Sequence, residues 1–220
     1  RKLIMAIDPQ LKERLRNEKA ESLIMDADSA ALLIKDGMAV GISGFTNAGY
    51  PKVVTHALAE QAKAGRAVKI DLYSGASVGP EVDTELTEAG VIRKRIPYQT
   101  NASLRKSINA GNVDYIDMHL GRSPEFISGG HVNKPDVALV EALAITEDGN
   151  LIPTTSVGNT PIYVAEADTV IVEVAMAKPL ALEGMADIYM QEKPPCRKPI
   201  PITHAGDRIG TPYIKCGWDK

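Results

Sequence analysis

Short apolar runs, each closed by small or polar residues and followed by an amphipathic stretch, recur along this chain. Met38 to Ile42 reads as a buried strand, Gly41 to Gly49 as a turn of Gly, Ser, Thr and Asn, and Pro51 as the first position of a helix reaching about Ala64. The pattern repeats with Val68 to Tyr73 as strand, Ser74-Gly75-Ala76-Ser77-Val78-Gly79-Pro80 as loop and Glu81 to Ala89 as helix. Farther on, Ala102 to Ala110 predicts a helix, Val113 to Met118 a strand and Val137 to Thr146 a long strand. Leu151 to Pro153 is its hairpin partner across Glu147-Asp148-Gly149-Asn150, and Thr160 to Ala167 and Thr169 to Ala175 add a last helix and strand. Alternation of this kind predicts an α/β fold, a mostly parallel sheet flanked by helices.

The flanks differ in texture. Residues 1–37 read as an N-terminal helical arm: Pro9 to Lys19 is charged and solvent-facing, and Asp28-Ser29 caps an apolar run, Ala30 to Ile34, that Gly37 stops. Beyond residue 178, Pro179, Pro194, Pro195, Pro199, Pro201 and Pro212 break any long element, with Cys216 and Trp218 in no evident one. The expected division is an arm (1–37), an α/β domain (38–178) and an irregular segment (179–220) leading into a further domain.

Composition narrows the classes. With 44% apolar and 24% charged residues over 220 positions, a full core is within reach. The 25 Lys+Arg and 28 Asp+Glu are spread along the chain, so no basic face points to nucleic acid or an anionic membrane. No stretch approaches the roughly 18 apolar residues of a membrane span. Cys196 and Cys216 show neither redox nor metal spacing, which leads to the expectation of a reduced, cytoplasmic setting. An opening Arg1 in place of Met leads to the expectation of an N-terminus lying further upstream.

In open α/β sheets ligands sit beyond the carboxyl ends of the strands. Three small-residue loops are candidates: Gly41 to Gly49, Ser74 to Gly79, and Thr154-Thr155-Ser156-Val157-Gly158-Asn159. Gly44 and Gly49 allow backbone angles closed to other residues, and such a loop offers free N–H groups to an anion or oxyanion, helped by the following helix N-terminus. A tight βα turn explains the same residues. Neither generic nucleotide motif is present. Ser77 and Thr154-Thr155-Ser156 supply hydroxyls whose ordinary role is helix capping. The four histidines, His56, His119, His131 and His204, are scattered with no partner at metal-ligand spacing, so no metal site is expected.

Taken in order, Ser43-Gly44-Phe45-Thr46-Asn47-Ala48-Gly49-Tyr50-Pro51-Lys52, Gly75-Ala76-Ser77-Val78-Gly79-Pro80 and Ile108-Asn109-Ala110-Gly111 resemble one family. Ala138-Leu139-Val140-Glu141-Ala142, Ile145-Thr146-Glu147-Asp148-Gly149, Pro153 to Asn159 and Leu182-Glu183-Gly184-Met185-Ala186-Asp187-Ile188 continue the series. The chain resembles the N-terminal domain of the acetyl-CoA hydrolase/transferase family, in particular succinyl-CoA:acetate and propionyl-CoA:succinate CoA-transferases, over about Ala30 to Tyr213.

The resemblance implies a class I CoA-transferase domain, related in fold to sugar-phosphate isomerases, paired with a second domain that carries the nucleophilic glutamate. No catalytic residue is expected within residues 1–220, and Glu141, Glu173 and Glu183 do not fit the nucleophile position. In the family chemistry a glutamate carboxylate attacks an acyl-CoA thioester to give a mixed anhydride, CoA thiolate forms a glutamyl-CoA thioester, and a second carboxylic acid takes the CoA. By that resemblance Gly44, Phe45, Thr46, Asn47, Ala48 and Gly49 form the substrate and oxyanion loop, and Ser77, Ser156 and Asn159 line the acyl site. No cofactor is implied, coenzyme A being a substrate, and the partners implied are acyl-CoA, a short-chain carboxylic acid, the C-terminal domain and a second copy in a homodimer. An acetyl-CoA hydrolase, a non-catalytic CoA or sugar-phosphate binding module and a sugar-phosphate isomerase are the alternatives.

Overall fold

The computed structural model describes residues 7–193, 195 and 197–220; the opening run Leu3-Ile4-Met5, Pro194 and Cys196 lie outside these. The arm holds three short helices, α1 (Pro9–Arg14), α2 (Glu18–Ser22) and α3 (Ala27–Ala31). The single helix expected over Pro9 to Lys19 is broken because Asn17 is extended (φ −149°) and its side chain accepts from Lys19 N–H, starting a new helix. Asp26, not Asp28, caps α3 by accepting from Ser29 N–H at 2.7 Å. The arm is tied to the sheet where Leu15 bridges Ile145 and the buried Arg14 donates to the carbonyls of Leu143 and Lys178.

The α/β units follow as β1 (Ala39–Ile42), α4 (Val53–Lys63), β2 (Ile70–Tyr73), α5 (Pro80–Asp83), α6 (Glu85–Glu88), β3 (Ile92–Ile96), α7 (Ala102–Asn109) and β4 (Asp114–Tyr115). Then come α8 (Ser123–Ser128), β5 (Val137–Ile145), β6 (Leu151–Pro153), α9 (Thr160–Glu166) and β7 (Thr169–Val174). The helix expected over Glu81 to Ala89 is thus two short ones, and α4 starts at Val53, two residues after Pro51.

The sheet runs β4-β3-β2-β1-β5-β6, with β7 alongside the first half of β5, and every pairing is parallel except β5 with β6. This is the mostly parallel, helix-flanked sheet that the alternation predicts. Strand residues alternate between two cores with period two. Val40, Ile42, Ile70, Leu72 and Leu139 face a core shared with α3 to α7, whereas Ala39, Tyr73, Ala138 and Val140 face one closed by α8, α9 and the tail.

Three elements depart from expectation. β3, Ile92-Arg93-Lys94-Arg95-Ile96, was not foreseen as a strand because three successive cations conceal it. Its charges are matched by buried acids: Arg93 Nε and Lys94 Nζ reach Asp71 at 2.8 and 3.5 Å, and Arg95 reaches Asp83. The strand expected over Val113 to Met118 is reduced to Asp114–Tyr115, since its partner β3 runs into Pro97, which has no N–H to extend the ladder. α8 was missed altogether; Pro124 stands in its first turn.

The tail returns to the domain. Ile214 pairs with Leu151 through two backbone hydrogen bonds of 2.9 and 2.8 Å, and Ile188 bridges Thr211. Cys216 and Trp218, which the sequence leaves without an element, are held by neighbours: Cys216 N–H donates to Asn150 and Trp218 Nε1 to the Glu147 carbonyl. Among the described residues no helix is long and apolar enough to cross a membrane.

Candidate functional site

The loop after β1 is a folded turn. Phe45 N–H donates to Ala48 O at 2.9 Å and Ala48 N–H returns to Phe45 O at 3.0 Å, which places Thr46 and Asn47 at the tip with Thr46 at φ +52°. These bonds use two of the N–H groups that the sequence offers to a ligand. Gly44 N–H has no acceptor among the described residues. Phe45 projects outward, 62% exposed. Gly49 sits at φ +63°, and a Cβ there would lie 2.7 Å from the Ser156 backbone nitrogen and closer still to its hydroxyl.

The segment Thr154 to Asn159 meets this loop from an antiparallel strand. β5 overshoots β1, which it pairs only through Leu139, so β6 folds back along the overhang and delivers residues 154–159 onto the carboxyl end of β1. There Ser156 Oγ donates to Ala48 O at 2.9 Å, and Asn159 N–H donates to the buried Ser43 Oγ at 2.9 Å. Asn159 Nδ2 donates to Ser123 Oγ at 2.7 Å, bringing α8 into the same cluster.

Ser77 anchors the second loop. Its hydroxyl donates to Asp83 Oδ2 at 3.1 Å and Val78 N–H to the same oxygen at 3.3 Å. Asp83 and Arg95 are both 0% exposed and pair at 3.2 Å, while Arg95 also donates to Ser74 Oγ and to Ile96 O. The loop is therefore set by a buried ion pair. Gly75 packs beside Ser43 and Asn159, and Gly79 lies flat against the Tyr50 ring, so this loop adjoins the first.

Tyr50 and Lys52 close the site on its fourth side. Tyr50 Oη donates to Glu81 Oε2 at 2.5 Å; burial first, then the Glu81 carboxylate, push its phenol well above the ordinary range. Lys52 Nζ lies 2.7 Å from Glu141 Oε2, 2.6 Å from Tyr50 O and 4.0 Å from the centre of the Tyr50 ring. The other oxygen of Glu141 accepts from Thr154 Oγ1 at 2.6 Å. Glu173, from β7, accepts from Lys52 N–H and Val54 N–H, each at 2.7 Å.

Glu173 changes one expectation. The N-terminus of α4 was expected to help hold an anion, but a carboxylate of the chain itself already occupies it. Its signal in the sequence is an acid in the middle of a β-branched strand, a half-buried position at which a carboxylate gains from donors. Lys52 and Tyr50 stand in the loop motif, and Glu141 in a strand run, yet their joint role needs the register of β5 against β6. The histidines stay apart: His56, exposed on α4, is held above its ordinary pKa by a hydrogen bond to Glu85, and His119 accepts from Gly121 N–H.

The structure thus brings together Gly44 to Gly49, Ser156 and Asn159, with Ser77 one layer deeper, at the carboxyl ends of β1 and β2. The arrangement brings backbone amides and small polar groups together where the loops meet, with the carboxylates of Glu141 and Glu173 both engaged by donors of the chain.

The family description "Acetyl-CoA hydrolase/transferase N-terminal domain" matches residues 8–216. A succinyl-CoA:acetate CoA-transferase of Clostridium kluyveri is 50% identical over 95% of this chain and 39% of its own length. An acetyl-CoA hydrolase of Schizosaccharomyces pombe is 38% identical over 93% of this chain and 41% of its own. Among solved structures, RipA from Yersinia pestis superposes with a TM-score of 0.58 at 17% identity, covering 80% of this chain and 39% of that one, a likeness of fold. The chain spans about two fifths of the length of these curated relatives. With its motifs on the converging loops and the family match running over nearly its whole length, the chain belongs to the acetyl-CoA hydrolase/transferase family and matches that family's N-terminal domain.

Proposed function

We propose that this chain forms one wall of an acyl-CoA site in a CoA-transferase that moves CoA between a short-chain acyl-CoA and a carboxylic acid. One observation carries the reading: the loop, whose buried Gly44 N–H has no acceptor among the described residues, meets Ser156 and Asn159 while Glu141 and Glu173, the nearby strand carboxylates, have both oxygens engaged. A carboxylate whose oxygens already accept from donors is a poor nucleophile, in keeping with the family resemblance, which implies that the attacking glutamate is carried by a second domain. The wall's work is to position the thioester and to offer donors to the oxyanion at each acyl transfer, a contribution of roughly 3 kcal/mol per donor.

Transfer and hydrolysis differ in whether a carboxylic acid or water intercepts the activated intermediate. With the full-length protein, acetyl-CoA plus succinate is expected to give succinyl-CoA and acetate. Free CoA released at a comparable rate without acceptor would make the protein a hydrolase, the activity named for the yeast relative.

The same reading takes coenzyme A as substrate with no resident cofactor, a cytoplasmic setting suited to a Cys216 that forms no disulfide among the described residues, and a homo-oligomer. Support for association comes from the arm, where Leu23, Ile24, Met25, Leu32 and Leu33 are all exposed. Residues 1–220 alone are expected to self-associate; a monodisperse monomer in light scattering would contradict this.

A further inference from the structure

We propose that Lys52 is a positioning residue for the substrate loop, holding Gly44 to Gly49 in register with Ser156 through the buried Glu141. The proposal rests on the acyl-CoA reading of this site.

Glu141 projects from β5, the longest strand, and is 9% exposed. One of its oxygens takes Lys52 Nζ and the other takes Thr154 Oγ1. From Lys52 the connection continues to Tyr50 O and around the loop to Ala48 O, which accepts from Ser156 Oγ. Ser156 stands two residues from Thr154, so the connections form a closed circuit running Glu141, Lys52, Tyr50, Ala48, Ser156, Thr154 and back. One strand carboxylate therefore links the substrate loop to the 154–159 segment.

The ammonium is well suited to this. Two of its three N–H groups go to a carboxylate and a loop carbonyl, and its charge rests against the Tyr50 ring. Lys52 N–H is meanwhile fixed by Glu173, which holds the root of the side chain to β7. A lysine meant to receive a substrate phosphate would keep its ammonium free of such partners.

Two other roles are open to the same pair. It can serve folding alone, or Lys52 can bind an anionic part of the substrate. Kinetics on the full-length protein separate these from positioning. Lys52→Met is expected to lower kcat about 10- to 100-fold, the scale for sub-ångström misplacement of reacting groups, with KM for acyl-CoA little changed. Because that variant leaves Glu141 buried with half its partners, Lys52→Met/Glu141→Gln is made as well; it should recover the thermal midpoint and not the turnover. Recovery of turnover together with stability would reduce the pair to a folding role, and a raised KM at unchanged kcat would make Lys52 a substrate ligand; either overturns the proposal. Hydrogen exchange supplies a readout independent of catalysis, with faster exchange expected at amides 44–50 in both variants; unchanged exchange there overturns it too. Should wild-type protein turn over no acyl-CoA, the functional reading fails, and exchange alone still decides whether Lys52 holds the loop.

Discussion

Arg95→Met will destabilise the protein by about 3 to 5 kcal/mol, the range for removing one partner of a buried ion pair. Both members of the Arg95–Asp83 pair are fully buried, so the variant strands an acid in the core. Arg95 also donates to Ser74 Oγ and Ile96 O, and both lose a partner. Adding Asp83→Leu removes the stranded charge but orphans Ser77 Oγ and Val78 N–H, which donate to it, so the double variant is expected to recover only part of the loss. Urea denaturation measures both: the single variant should shift the midpoint strongly, the double by less. A single variant within about 1 kcal/mol of wild type would show the pair to be dispensable.

Gly49→Ala is expected to abolish most turnover of the full-length protein, by about 100-fold in kcat, and to cost about 2 to 3 kcal/mol of stability. Two effects act together. At φ +63° any side chain strains the backbone, and the new Cβ drives into Ser156, whose hydroxyl holds Ala48 O. Relief of the clash requires the loop or the 154–159 segment to move, and each carries the other. Steady-state kinetics beside a thermal melt check this; full activity would show that the contact between the two walls is not needed for catalysis.

The fold was legible where hydrophobic periodicity is strong. β1, β2, β5 and β7, and the β5–β6 hairpin, stand close to where apolar runs and turn residues place them. Legibility failed where charge is matched across the structure. Arg93, Lys94 and Arg95 look like a solvated turn until Asp71 and Asp83 are seen beneath them, and neither acid is near them in sequence. A reading of local pattern also has no means of breaking the first helix at Asn17, since Asn serves both interiors and caps.

For the site, the motifs located the loops and not their internal wiring. Gly44 to Gly49, Ser156 and Asn159 do converge, but the hydrogen bonds that close Phe45 on Ala48 depend on dihedral angles that composition leaves open. Ser77 stands in its motif, yet its hydroxyl is directed at Asp83, a helix residue six positions on. Glu141 and Glu173 do not fit the nucleophile position that the resemblance implies, but local pattern does not say what they do instead. Each is a structural acceptor, a distinction set by the donors that the antiparallel β6 return and the start of α4 bring to them.

The carboxylate at the head of α4 has a bearing on selectivity. With Glu173 seated there, the positive end of the α4 dipole is met by a carboxylate of the chain itself, so on the proposed reading the helix adds little standing attraction for an anionic substrate. On the proposed acyl-CoA reading, recognition of an acceptor's negative charge falls to groups other than the head of α4.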